Sequence, residues 1–205
     1  MILDGLLIAI KKPTSYAAFD GNQLIGFHIN RIHTPDEFPQ LFEGKLFDPN
    51  AKFEYKNDYA NEIENGKYNQ NAEKINIILN ECLKQIGKFF PSDLRNLGYM
   101  KASGTRPDYT NNGLLYYLFL ESLKDYEKFD CNYFIGFCSA ANSFKMCKKI
   151  GMKNVFTFPY SEYKVNGKPI YQNFPDGATG IQVMIGRTDV AMDILTGKKV
   201  PDAHL

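Results

Sequence analysis

The chain has 205 residues, 44% hydrophobic and 23% charged, with 24 basic against 23 acidic side chains and a net charge of +1. This is the length of one domain and a globular rather than a disordered composition. The near-balance of charge argues against a nucleic-acid binder, which needs a basic face, and no apolar run reaches the roughly 20 residues of a membrane helix. The four cysteines, Cys82, Cys131, Cys138 and Cys147, lack metal-like spacing and read as reduced thiols of a cytoplasmic protein.

Residues 1–12 read as a short helix or the end of one. Residues 14–20 and 23–32 read as two strands joined by Gly21-Asn22, a hairpin dipeptide. Gly26 inside the second strand marks a bulge or a close approach. His28 alternates there with Phe27 and Ile29. It is a candidate substrate-side base, as is His33 at the strand end. Residues 33–70 are polar, contain Pro35, Pro39 and Pro49, show no clear period and read as a long surface excursion. Within it, Glu54, Tyr55, Tyr59 and Glu62 are candidates to line a pocket for a cationic amine.

Residues 72–88 form an expected helix, with Ile75, Ile78, Leu79, Cys82, Leu83 and Ile86 at helical spacing. A strand follows at 97–105. Then comes Arg106-Pro107-Asp108-Tyr109-Thr110-Asn111-Asn112-Gly113, a tight polar turn that opens directly into an apolar helix over 112–128. Free backbone N–H groups and the positive end of the helix dipole suit a phosphate or pyrophosphate there. A strand at 132–138 leads into a helix at 140–150, which Gly151 ends in the C′ position. Late strands at 155–163 and 180–186 flank a Gly/Pro/Asn-rich loop, and 188–205 reads as a polar tail.

One domain over 1–205 is expected, with 33–95 as an insertion carrying a helix ahead of the 97–105 strand. A hairpin combined with a βαβ unit requires a mixed sheet. The fold class is therefore α/β, three-layered, with a largely antiparallel sheet of about six strands and helices on both faces.

Ser139, Ser143 and Cys147 are four residues apart and share one helix face. They are candidates for proton handling. Each also has a structural alternative: Ser139 as an N-cap, Ser143 bonded back to the helix, and Cys147 as a small core residue.

The Pro107-Asp108-Tyr109 turn and its continuation to Leu115 resemble the pyrophosphate loop of the GNAT superfamily of N-acyltransferases. That loop has the pattern Arg/Gln-x-x-Gly-x-Gly/Ala after Pro-x-Tyr. Thr110 stands at the Arg/Gln position, Gly113 keeps the central glycine, and Leu115 replaces the last small residue. The run 138–152, the Tyr163-Lys164-Val165-Asn166-Gly167 loop and Gly180-Ile181-Gln182-Val183-Met184 are similar to arylalkylamine N-acetyltransferases of the dopamine type. The resemblance covers residues 14–187.

It implies a GNAT-like fold and acetyl transfer from acetyl-CoA to a primary amine, arylalkylamine-like, by direct attack in a ternary complex. The partner is then a small-molecule amine, with no metal, nucleic acid or membrane involved. It further implies cofactor contacts at Gly104, Thr105, Tyr109, Thr110, Asn111, Asn112, Gly113, Leu114 and Leu115. Ser139 and Ser143 match the family's two catalytic serines, and Cys147 stands where many members have a tyrosine acid. The family begins with a strand and two helices before the hairpin, where this chain has only residues 1–13, and its glutamate base has no counterpart here. A shortened N-terminus is therefore expected, and the alternative is a weakly active or inactive acyl-CoA-binding relative.

Overall fold

In the computed structural model, residues 14–48 and 50–198 are described. The helix expected over 1–12 and the end of the 188–205 tail lie outside them. The first hairpin joins β1 (Tyr16–Asp20) to β2 (Gln23–His33). Gly21 supplies the positive φ, +56°, that this tight turn requires. Gly26 is the expected close approach: a Cβ there would lie 2.8 Å from Cδ2 of Leu114.

After β2 the chain makes two short helices, α1 (Phe38–Leu41) and α2 (Ala60–Glu64), and then the long α3 (Gln70–Ile86). Asn69 caps α3 by accepting the N–H of Ala72 at 3.0 Å. There follow β3 (Asn96–Thr105), α4 (Leu114–Lys128), β4 (Cys131–Cys138) and α5 (Ala141–Lys149). The chain continues through β5 (Lys153–Pro159), the small β6 (Lys164–Val165) and β7 (Lys168–Pro169) pair, β8 (Gly180–Arg187) and α6 (Thr188–Leu195).

The main sheet has six strands in the order β1-β2-β3-β4-β8-β5. Only β3 and β4 run parallel; the other pairings are antiparallel. The expected mixed, largely antiparallel sheet with helices on both faces is observed. One face packs Leu97, Tyr99, Ile135 and Val183 against α1, α2 and α3. The other packs Met100, Phe134 and Met184 against α4, α5 and α6.

Two expectations are corrected. The 33–70 segment is not a surface excursion, because Phe38, Phe42, Tyr59 and Ile63 are buried in the first core. Each such side chain contributes about 1.5–3 kcal/mol by leaving water. Phe38, Leu41 and Phe42, and Tyr59 and Ile63, do stand at helical spacing, but each group spans a single turn of a four- or five-residue helix, too short to read as a period. The 188–205 tail starts with an amphipathic helix: Thr188 donates to the Cys131 carbonyl at 2.6 Å and Ala191 is buried. In the α3 stripe Ile78, Cys82 and Ile86 are buried, whereas Ile75 is 48% exposed and Glu73 is buried, accepting the Tyr68 N–H at 2.7 Å.

A polar knot fastens β2 to α4. Asn30 Nδ2 donates to the Thr14 carbonyl and to Ser122 Oγ, both at 2.8 Å, and its Oδ1 accepts the Tyr126 hydroxyl at 2.8 Å. Ser122 in turn donates to the Leu118 carbonyl at 3.0 Å. All the polar atoms of the amide are satisfied, as a buried side chain requires.

Candidate active site

β3 and β4 pair only from Asn96 and Cys131 as far as Met100 and Gly136. At that point the β2–β3 register slips. Asn30 and Ile29 face Met100 and Ala102, leaving Lys101 as an extra residue. Such a bulge bends its strand and increases the local twist. β4 meanwhile continues along β8, with Phe137 opposite Val183 and Cys138 opposite Gln182. The strands therefore part, and residues 101–105 have no strand neighbour on the β4 side. Lys101, Ala102 and Ser103 are exposed, and Gly104 and Thr105 half-buried.

This open edge leads into the expected turn. Pro107–Tyr109 form a single 3-10 turn. Thr110 donates from Oγ1 back to the Pro107 carbonyl at 2.8 Å, so its hydroxyl is turned inward. Asn111 and Gly113 have φ of +63° and +74°, and Gly113 is the N-cap of α4. The helix thus begins at Leu114, two residues later than the sequence suggests. The backbone N–H groups of residues 111–116 have no acceptor among the described residues. Consecutive free donors at a helix start form an anion cradle. Tyr109 is half-buried, and its hydroxyl donates to Asp20 Oδ2 at 2.5 Å, tethering the turn to the β1–β2 hairpin. Leu114 and Leu115 are half-buried, while Thr110, Asn111, Asn112 and Gly113 are exposed.

Across the notch stands the start of α5. Ser139 is exposed, and it is not the N-cap: that position belongs to Ala140. The capping is supplied from a distant loop, where Asp176 Oδ2 accepts the Ala141 N–H at 2.8 Å. Those backbone donors hold the Asp176 carboxyl below the usual value. Ser143 donates back to the Ala140 carbonyl at 2.7 Å. Cys147 is buried, its Sγ 3.3 Å from Sγ of Cys138. The neighbouring thiol and burial hold Cys147 far above the usual thiol range. Ser139 therefore lies before the helix, and of the three residues expected on one helix face only Ser143 and Cys147 share α5, the serine half-buried and the cysteine in the core.

Both strand histidines are buried. His28 faces α4, with Nδ1 2.6 Å from Ser103 Oγ, and burial lowers its pKa to about 4. His33 faces the other layer, with Nδ1 3.0 Å from Glu37 Oε2, and Arg31 joins the same carboxylate at 2.6 Å. Burial brings His33 to about 4 as well. His33 borders a cavity of about 350 Å³ with Gln40 and Lys84. It pairs with Leu97, well short of the notch. The pocket sought in the excursion is filled from within: Lys56 Nζ lies 2.8 Å from Glu62 and 3.3 Å from Glu81. Ser103 and Lys101 had no motif to announce them; the bulge that exposes them is a property of strand pairing.

A polar cavity of about 370 Å³ lies at the opposite end of the sheet, near Arg95, Asp130 and Arg187. Its arginines are already engaged, Arg95 by Asp130 and Arg187 by Asp189. Among the described residues no cluster of His, Cys, Asp or Glu could hold a metal ion. No described helix is long and apolar enough to cross a membrane.

No family model matches the chain, and no curated protein does. Solved structures do. Arylalkylamine N-acetyltransferase 2 from Aedes aegypti matches with a TM-score of 0.71 at 15% identity, over 91% of this chain and 79% of that one. A Drosophila melanogaster polyamine N-acetyltransferase matches at 0.65 and 12% identity, over 90% and 79%. The C-terminal condensation domain of Ebony, solved with beta-alanyl-dopamine, matches at 0.59 and 14% identity, over 91% and 78%. The six-stranded mixed sheet flanked by helices is consistent with these neighbours, and the GNAT N-acetyltransferase fold is the fold of this chain.

Proposed function

We propose that the chain transfers an acetyl group from acetyl-CoA to a primary amine, in the manner of an arylalkylamine N-acetyltransferase. One observation carries the reading: the open edge of β3 leads, through the single Pro107–Tyr109 turn, to the free N–H groups of residues 111–116. That continuity suits a ligand with an extended amide-containing arm and a pyrophosphate at its end. The turn then cradles the pyrophosphate through the N–H groups of Asn111, Asn112, Gly113, Leu114 and Leu115, while Tyr109 and Thr110, whose donors are already bonded, hold the turn in shape. The edge at Gly104 and Thr105 bonds the arm and donates to the thioester oxygen, whose charge grows as the amine attacks.

Ser139 and Ser143, at the start of α5, are proposed to assist proton handling from the far wall. Cys147 has its thiol in the core and contributes packing rather than a proton. The neighbours that act on aryl and polyamine substrates motivate an amine acceptor, and the half-buried Phe137 beside Tyr99, rings 5.4 Å apart, offers an aromatic surface near the notch. Four reduced thiols suit a cytoplasmic setting.

Calorimetric titration with acetyl-CoA, followed by a thiol-release assay over aryl and aliphatic amines, tests this. Binding with turnover on an amine supports the reading; no binding at millimolar acetyl-CoA overturns it. A second reading, a binding relative without turnover, is favoured by Thr110 and Leu115. Neither supplies what the GNAT loop has at that position, and binding without thiol release would select it.

A further inference from the structure

His28 has 0% exposure, yet its partner Ser103 is exposed on the open edge of β3. The two are joined by a contact of 2.6 Å. Phe119 of α4 closes over the imidazole with ring centroids 5.6 Å apart. Tyr16, opposite His28 on β1, has its hydroxyl turned away to Asp125. His28 Nε2 is left without a hydrogen-bond partner among the described residues.

This arrangement fixes the tautomer. A proton on Nε2 would be an orphaned buried N–H, the rarer and costlier defect. A proton on Nδ1 leaves only a bare lone pair at Nε2 and lets Nδ1–H donate to Ser103 Oγ. The serine oxygen then accepts with one of its two lone pairs and keeps the other free for a proton. Its own hydrogen has no acceptor among the described residues, and Ser103 is exposed on the strand edge where the thioester is proposed to lie.

We infer that Ser103 is a catalytic proton-transfer residue of the acetyl-transfer step, and that His28 is the positioning residue that aims its hydroxyl. The inference rests on the acetyl-transfer reading above. As the amine nitrogen bonds to the carbonyl carbon and the C–S bond breaks, the surplus proton on nitrogen passes to Ser103 Oγ. The original hydroxyl proton passes to the departing sulfur. The products are the amide, the free CoA thiol and an unchanged serine. His28 keeps its single proton throughout; burial holds the ring neutral at physiological pH.

The test uses the full chain, with acetyl-CoA and with 2-phenylethylamine, dopamine and agmatine as acceptors. Ser103→Ala should lower kcat about 10²-fold, the usual size of a positioned proton transfer. It should leave acetyl-CoA affinity, measured by calorimetry, within about threefold, since the backbone and turn donors remain. Ser103→Thr should recover most of the rate. His28→Asn, whose Nδ2–H can stand in for Nδ1–H, should stay close to wild type, whereas His28→Leu should fall to the level of Ser103→Ala. An active wild type with an equally active Ser103→Ala overturns the inference alone. So does a kcat ionisation near the free imidazole value that His28→Asn removes, because it would make His28 a base. If His28→Leu fails to fold, the Ser103 pair of variants and the pH profile still decide. A wild type that turns over none of the amines removes the acetyl-transfer reading and this inference with it.

Discussion

The sulfur of Cys147, deep in α5, lies 3.3 Å from that of Cys138 at the end of β4. The contact sits directly beneath the wall that carries Ser139 and Ser143. Both thiols are buried, which makes the pair a packing element with little access to solvent. Replacing Cys147 with alanine should cost about 1–2 kcal/mol, the lower end for a small buried group. The kcat for acetyl transfer should stay within about threefold of wild type, since only loosened packing reaches the serines. Denaturant melts and thiol release measure the two effects. A hundredfold loss of kcat with normal melting would restore Cys147 as the acid.

The anion cradle depends on Gly113 at φ +74°. A Cβ there meets nothing within 4 Å, so the cost of a substitution is backbone strain and obstruction of the ligand. Gly113→Val should destabilise the chain by about 1–3 kcal/mol and raise the KM for acetyl-CoA at least tenfold. Calorimetry with CoA alone would show whether the loss is in binding.

Thr110 offers a gain in place of a loss. It is exposed at the mouth of the cradle, and its hydroxyl is spent on the Pro107 carbonyl. Thr110→Arg should add a charge-assisted contact to the pyrophosphate and tighten acetyl-CoA by about five- to tenfold, in line with such bonds in partly exposed sites. An unchanged dissociation constant at low salt would place the pyrophosphate elsewhere.

Acid should unfold the chain through its histidines. His28 and His33 are both lowered from 6.5 to about 4, His28 by burial and His33 by burial and Arg31 against the opposing pull of Glu37. The unfolded chain therefore binds more protons between those values, and stability rises with pH across that window. The contribution is complete above about 6.5 and is lost as the pH falls through about 4, roughly 3 kcal/mol for each histidine. His28→Asn should remove about half of that pH dependence in urea melts taken from pH 4 to 7. A slope identical to wild type would mean that His28 is not buried neutral.

The Asn30 knot should behave as a unit. Asn30→Ala would strand the Tyr126 hydroxyl and one Ser122 contact in the core, at a cost of about 2–4 kcal/mol. Asn30→Ala with Tyr126→Phe should cost less than the sum of the two single changes, which a double-mutant cycle by urea denaturation reads directly.

The parts of the fold legible in the sequence were those with local signals. The Gly21-Asn22 hairpin, the α3 stripe at Ile78, Cys82 and Ile86, and the Gly151 helix stop, with φ +81°, each carry their own periodicity or backbone requirement. The donor turn before α4 was legible for the same reason. Hidden from it were features decided between segments. The buried aromatics of 33–70 sit on single helical turns whose burial is decided by α3 and the sheet, and Asp176 caps a helix 35 residues earlier in the chain. The proximity of Ser103 to His28 depends on a one-residue slip between β2 and β3, which no single strand's composition encodes.

The parting of β3 from β4 also sets where mechanical support comes from. Beyond Met100, β2 is the strand that pairs with this wall of the proposed binding notch among the described residues, and β2 is backed by the edge strand β1. The hairpin tip holds the turn as well, through Asp20 and Tyr109. Ligand affinity and hairpin rigidity are thus one property: anything that frays β1, from a proline to a competing strand, should be felt as weaker capture of the ligand tail 80 or more residues further along the chain.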